Sequence, residues 1–146
     1  MKRNRGFSLL ELLIVVAIIL IIATIAIPSL LRSRQAAQES SAVAQLRTIN
    51  TAEVTYQTSA AGNYGDIDQL ITAGLLDNRF KQPVSGYTFA ITASSSDYTA
   101  TATPSSTNSG RFGYYSTPDA VIRYQSQSTG TCVPCFPGTS SGQPVQ

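Results

Sequence analysis

Histidine and tryptophan are missing altogether from the 146 residues, and charged residues make up only 12% of them. Without histidine, the commonest general base and metal ligand are gone, and so are all Ser-His-Asp and Cys-His pairs. Most hydrolytic and zinc chemistry is thereby set aside, and an enzyme is not the expected answer. The net charge of +2 is small and scattered, so the basic stripe that nucleic-acid binding requires is not there. Acidic residues never cluster at calcium-loop spacing. Asp66 and Asp68 are the nearest approach, and two carboxylates without the rest of an EF-hand predict no metal and no cofactor.

What the chain has in excess is aliphatic side chains at one end. Leu12 to Ile27 reads LLIVVAIILIIATIAI, with Thr24 its one polar residue, and the apolar run extends from Phe7 to Leu31. Those 25 residues exceed the roughly 20 that a helix needs to cross a hydrocarbon core of about 30 Å. Lys2, Arg3 and Arg5 precede the run and favour a cytoplasmic N-terminus, although Arg32 and Arg34 beyond it reduce the bias. A cleaved secretory signal, with Ala23 to Ala26 as its cut site, is the alternative. It is disfavoured by Glu11 inside the run and by the helical pattern continuing past Pro28. Glu11 is the anomaly, since a carboxylate at membrane depth costs several kcal/mol unless it finds a partner. Cutting between Gly6 and Phe7 would free an α-amine four residues before Glu11, and in a packed array the amine of one chain could reach the carboxylate of the next.

Lys2-Arg3-Asn4-Arg5-Gly6 followed by Phe7-Ser8-Leu9-Leu10-Glu11-Leu12 resembles the leader and cleavage site of class III prepilins, the precursors of type IV pilins and type II secretion pseudopilins. From Gly6 to about Tyr56 the chain is more similar to type IVa pilins than to pseudopilins. The resemblance implies removal of residues 1–6 by a membrane-embedded prepilin peptidase and N-methylation of Phe7. It further implies a requirement for Glu11 in subunit assembly, and it places Pro28 where family members carry a helix-breaking proline. It implies a chain held in the bilayer of the bacterial inner membrane, then extracted by assembly machinery into a homopolymeric filament outside the cell. Loss of the leader leaves seven basic against eight acidic side chains, a near-neutral subunit suited to close packing of many copies. Two rivals share the anchor: a pseudopilin forming a short periplasmic piston, and a bitopic protein whose head binds a partner and never polymerises.

The remaining sequence predicts an α+β protein. Ala36, Val43, Leu46, Ile49 and Tyr56 recur at helical spacing among Gln35, Gln38, Glu39, Gln45, Arg47 and Glu53. One helix over about 7–60 is expected, some 80 Å at about 1.5 Å per residue, with 7–31 its membrane and assembly segment. Pro28 predicts a kink or a melted stretch around Ala23 to Pro28. A short helix from about Ile67 to Ala73 should follow, capped by Asp66 with Gln69. Four antiparallel strands are expected at 86–93, 98–103, 111–116 and 120–125, within a head spanning 61–125. Tyr87, Phe89 and Ile91 should face the outer half of the helix, with Tyr98, Phe112 or Tyr114, and Val121 or Ile122 completing the core.

The last 21 residues, Ser126 to Gln146, carry no side-chain charge and include thirteen Ser, Thr, Gly or Pro, which predicts an irregular segment. Within them, Cys132 and Cys135 form a C-x-x-C. With no second pair and no βαβ context, a small local disulfide formed outside the cytoplasm is favoured over thiol oxidoreductase chemistry or half a zinc site.

Overall fold

The computed structural model describes residues 7–126 and 143–145. Helix α1 runs over Leu9–Ser59, 51 residues. Its length follows from composition, since no glycine occurs from Phe7 to Ala61 and the one proline is Pro28. The stop is equally local. Ala61 and Gly62 both adopt left-handed backbone, and the Gly62 N–H reaches back to the Gln57 carbonyl at 3.0 Å, closing the last turn.

The chain divides into two compact units between Arg34 and Gln35, within α1. In the first, the backbone from Ala23 to Pro28 is helical throughout. The melted stretch expected there is therefore corrected. Proline removes one backbone donor from a helix whose neighbouring turns all remain bonded, and one missing bond is too small a loss to undo them. Thr24 and Ser33 direct their hydroxyls back to the Ile21 and Ser29 carbonyls at 2.8 and 3.1 Å, satisfying them within the helix itself.

In the second unit, the outer part of α1 packs with α2 (Ile67–Thr72), a 3-10 turn (Asn78–Lys81) and one antiparallel sheet. Asp66 caps α2: its carboxylate accepts from the Gln69 N–H at 2.8 Å while the Gln69 side chain accepts from the Asp66 N–H at 2.9 Å. The sheet holds β1 (Tyr87–Ala93), β2 (Tyr98–Pro104), β3 (Phe112–Ser116), β4 (Ile122–Ser126) and β5 (Gln143–Pro144), adjacent in that order. Among the described residues the count is five where four were expected. Part of the segment taken as irregular lies along β4, with the Val145 N–H on the Ile122 carbonyl at 2.8 Å and the Tyr124 hydroxyl on the Gln143 side chain at 2.8 Å. Those contacts satisfy an edge that would otherwise be open.

Register puts Phe89, Ala102 and Tyr114 side by side, and Tyr124 next to Tyr114. This is the face that α1 covers. Leu46 and Ile49 are wholly buried against it together with Tyr87, Tyr98 and Ala100. Tyr114 and Ile122 are the buried members of their expected alternatives, whereas Val121 is exposed and Phe112 is half-buried. Two glycines mark close approaches. A Cβ on Gly110 would lie 1.9 Å from the Tyr87 hydroxyl, and one on Gly65 would lie 2.8 Å from the Tyr56 ring. Neither position has room for a side chain.

Candidate assembly site

Among its described residues the first unit has no core of its own. Every large apolar side chain from Phe7 to Leu31 is exposed, Phe7 to 76% and Leu9 to 80%, and the most apolar 18-residue window of the helix is not covered at all. Leu9, Leu12, Leu13, Val16, Ala17 and Leu20 line a shallow groove at spacings of three and one, a helical face made entirely of hydrocarbon. The apolar surface extends around the whole circumference, so a single flat partner could not cover it. Lipid on all sides does so, and so does a ring of like helices.

Glu11 lies in the first turn of α1, where the unpaired N–H groups of the helix start favour negative charge. Among the described residues no hydrogen bond or ion pair reaches its carboxylate. Phe7 precedes the helix and is exposed, one turn from Glu11 in sequence. Pro28 lies inside the helix. Gly6, Cys132 and Cys135 fall outside the described residues, so the cleavage bond and the expected disulfide have no geometry to report.

Buried polar side chains on α1 tie it to the rest of the second unit, and two of them, Glu39 and Glu53, were expected elsewhere. Glu39 and Glu53 stand among the polar residues expected on the outer face, yet both are buried, as is Asn50. Ala36, expected in the core, is exposed. The buried residues of α1 are Glu39, Ala42, Val43, Leu46, Ile49, Asn50, Ala52 and Glu53, and all but Ala52 fall on one stripe with steps of three and four. Reading that spacing without regard to polarity would have found all seven.

Glu39 accepts from the Arg111 backbone N–H at 2.8 Å and from its Nε and Nη2 at 3.2 and 3.0 Å, which pins the start of β3 to the helix. Burial alone would raise its pKa, but the Arg111 side chain, N–H and charge together hold it below the ordinary value. Asn50 accepts from the Tyr98 hydroxyl at 3.0 Å. Glu53 accepts one N–H, from Gly65 at 3.1 Å, and its other oxygen, Oε1, is buried without a hydrogen-bond partner. Burial raises the Glu53 pKa, opposed by the Gly65 N–H and reinforced by the Asp66 charge. Among the described residues no cluster of three metal-ligating side chains occurs.

Residues 1–27 match the family model for the prokaryotic N-terminal methylation motif. The type IV wide pilus major component PilA4 of Thermus thermophilus is 34% identical over 123 residues, covering 84% of this chain and 88% of that protein. This chain belongs to the type IV pilin family. The type IV major pilin protein PilA of Myxococcus xanthus is 46% identical over 54 residues, covering 37% of this chain and 24% of that longer protein. No solved structure matches the chain at a significant level. Family and motif together define a structural pilin, synthesised as a membrane-anchored prepilin and then placed in a filament at the cell surface. They also account for an apolar helix that folds fully exposed, because in this pilin its surroundings are first lipid and then other subunits.

Proposed function

We propose that the pilin is cut between Gly6 and Phe7 by prepilin peptidase, methylated on the Phe7 amine, and drawn from the inner membrane by an assembly machine. Its role in the resulting homopolymer is structural and not catalytic. The observation that carries this reading is an apolar span from Phe7 to Leu31, helical from Leu9, with every large apolar side chain exposed and one carboxylate, Glu11, near its start. Gathering these spans from many copies removes that hydrocarbon from water or lipid and builds a continuous filament core.

Glu11 sets the register within that core. The Phe7 amine of one subunit pairs with the Glu11 carboxylate of its neighbour, and an axial slip would leave both charges alone in an apolar medium. Pro28, lacking the N–H that a straight helix would bond, is where α1 bends most readily during extraction. Cys132 and Cys135 close a small local loop. Closing so short a loop contributes on the order of 2 kcal/mol, enough to pin the tail but not to support the head.

The test is the intact mass and first residue of protein sheared from the cell surface of the native organism. A chain starting at methylated Phe7 in the sheared fraction establishes processing and assembly together. A chain still starting at Met1 and confined to membranes would instead support an unpolymerised bitopic protein. A processed chain that never reaches the sheared fraction would support the pseudopilus.

A further inference from the structure

β1 is an edge of the sheet, and the direction of its backbone groups follows from what they bond. Even-numbered residues turn toward β2. The Ser94 N–H donates to the Asp97 carbonyl at 2.7 Å, the Ser105 N–H donates to the Gly86 carbonyl at 2.8 Å, and the Thr101 and Thr103 hydroxyls reach the Ala90 and Thr88 carbonyls at 3.3 and 3.4 Å. Odd-numbered residues therefore turn away from β2. Tyr87 confirms the direction by exchanging both of its bonds with Val84 in the turn before the strand, at 3.0 and 2.8 Å. Phe89 comes next and is buried, its ring 5.5 Å from that of Phe80 in the 3-10 turn. Past Phe89 the cover stops. Ile91 and Ala93 are half-buried, and among the described residues no hydrogen bond reaches the outward N–H or C=O of either.

Protein edges are ordinarily guarded by a charge, a proline or a bulge. β1 reads YTFAITA, with no charge and no proline, and it pairs with β2 residue for residue from Tyr87 to Ala93, without a bulge. On the face of the sheet turned away from the core it presents Thr88, Ala90 and Thr92, all exposed and all small. The open backbone at Ile91 and Ala93 is thus left with nothing to repel another strand.

We propose that this edge pairs with the same edge of a second copy of the chain, antiparallel about a two-fold axis at Thr92. Ile91 of each copy exchanges both N–H···O bonds with Ala93 of the other, and Thr92 lies directly opposite its own counterpart. The proposal rests on the pilin-subunit reading and adds a contact between filaments. A two-fold contact closes after two chains, so it cannot extend a helical polymer and instead joins two of them side by side. The choice of occupant follows from reach, area and charge. The chain's own residues 127–142 join β4 to β5, at the edge of the sheet farthest from β1. Three paired residues span about 10 Å, far too little for the roughly 1,200–2,000 Å² that a stable complex between two free proteins buries. Subunits arrayed along two filaments repeat the contact many times, and repetition supplies the strength that one pairing lacks. Seven basic against eight acidic side chains leave each mature subunit nearly neutral, so two filaments approach without strong repulsion.

Electron micrographs of filaments sheared from strains carrying wild type, Thr92→Lys or Thr92→Glu as the sole pilin test this. Thr92 is exposed, so thermal midpoints of the detergent-solubilised chains and the yields of sheared filament should match wild type. Wild-type filaments should lie in side-by-side bundles. Either variant puts like charges opposite each other across the pair and should lower the bundled fraction about tenfold. Mixing the two kinds of variant filament should restore bundles, because lysine then meets glutamate. Thr107→Lys and Thr107→Glu add the same charges on the exposed loop between β2 and β3 and should bundle as wild type does. Variants at Thr92 that bundle normally would overturn the proposal, as would mixtures no more bundled than their components. Equal dispersal by the Thr107 variants would overturn it in favour of a general effect of charge. Lower thermal midpoints in both Thr92 variants would overturn it in favour of residues 127–142 as the occupant, and a fall in filament yield in favour of a contact within one filament. If wild type forms no filament at all, the subunit reading falls and this contact with it; wild-type filaments that always lie singly would sink the contact alone.

Discussion

The two parts of α1 belong to one continuous helix but meet their surroundings in opposite ways. From Gln35 onward, the stripe from Glu39 to Glu53 is buried by the chain's own sheet and loops, and its polar members are held by named donors. Up to Leu31, every large apolar side chain is exposed. Burial in the second unit is completed by folding, whereas in the first it is deferred to lipid and then to other copies. A substitution in one half should therefore be read out in the folded head, and the same substitution in the other half in the filament.

The largest expected effect is at Glu11. Glu11→Ala should leave membrane insertion intact, since it removes a charge from an apolar span, but should lower sheared filament on the order of 100-fold by leaving the neighbour's amine unpaired. Normal pili from cells carrying only that variant would remove the register mechanism. Next comes a matched pair on the two halves. Leu46 is fully buried, so Leu46→Ala should destabilise the head by about 3 kcal/mol. Leu20→Ala should leave the melting temperature of the solubilised monomer unchanged while weakening the filament. Equal effects of the two on monomer melting would erase the distinction between the halves.

A smaller effect belongs to Glu39. Glu39→Ala removes the acceptor for three Arg111 donors and should cost about 2 kcal/mol of head stability, with Glu39→Gln losing less because one amide oxygen still accepts. Thermal melts of the two variants in detergent distinguish a bond that orders β3 from one with no consequence.

Much of this was legible from residue types alone. The apolar run, Glu11, the Asp66–Gln69 cap and the alternation in β1 each follow from a local pattern, and the helix and first four strands fall close to where those patterns place them. Two features escaped for different reasons. β5 depends on a long-range pairing of Gln143 and Pro144 with β4, and neither residue has strand character. Glu39 and Glu53 were grouped with the polar residues of the helix, and Asn50 was given no place in the core, because polarity was allowed to override spacing, although the three-and-four series runs through all three. Their donors, Arg111, Tyr98 and Gly65, are 72, 48 and 12 residues away, and no local signal names them.

Glu53 gives the last and smallest prediction, and its sign is opposite to that of its neighbours on the head. Its pKa is raised in the folded chain above the ordinary 4.5, so the fold favours the protonated form. The stability linked to Glu53 is fully present below pH 4.5 and is lost as pH rises through the folded value. Asp119 is pulled down from 3.8 to about 2, chiefly by the Arg123 side chain, and Glu39 is also lowered. Their contributions are present near neutrality and are lost as pH falls below about 4. Glu53→Gln keeps an oxygen for the Gly65 N–H and cannot ionise. It should raise the melting temperature at pH 8 by about 3 °C, equivalent to about 1 kcal/mol, and have little effect at pH 4. The acid limb of the melting profile, which belongs to Asp119 and Glu39, should be unchanged. A wild-type profile already flat from pH 5 to 8, matched by the variant, would mean that the second oxygen of Glu53 is satisfied by water and that the buried carboxylate stays charged at no expense to the fold.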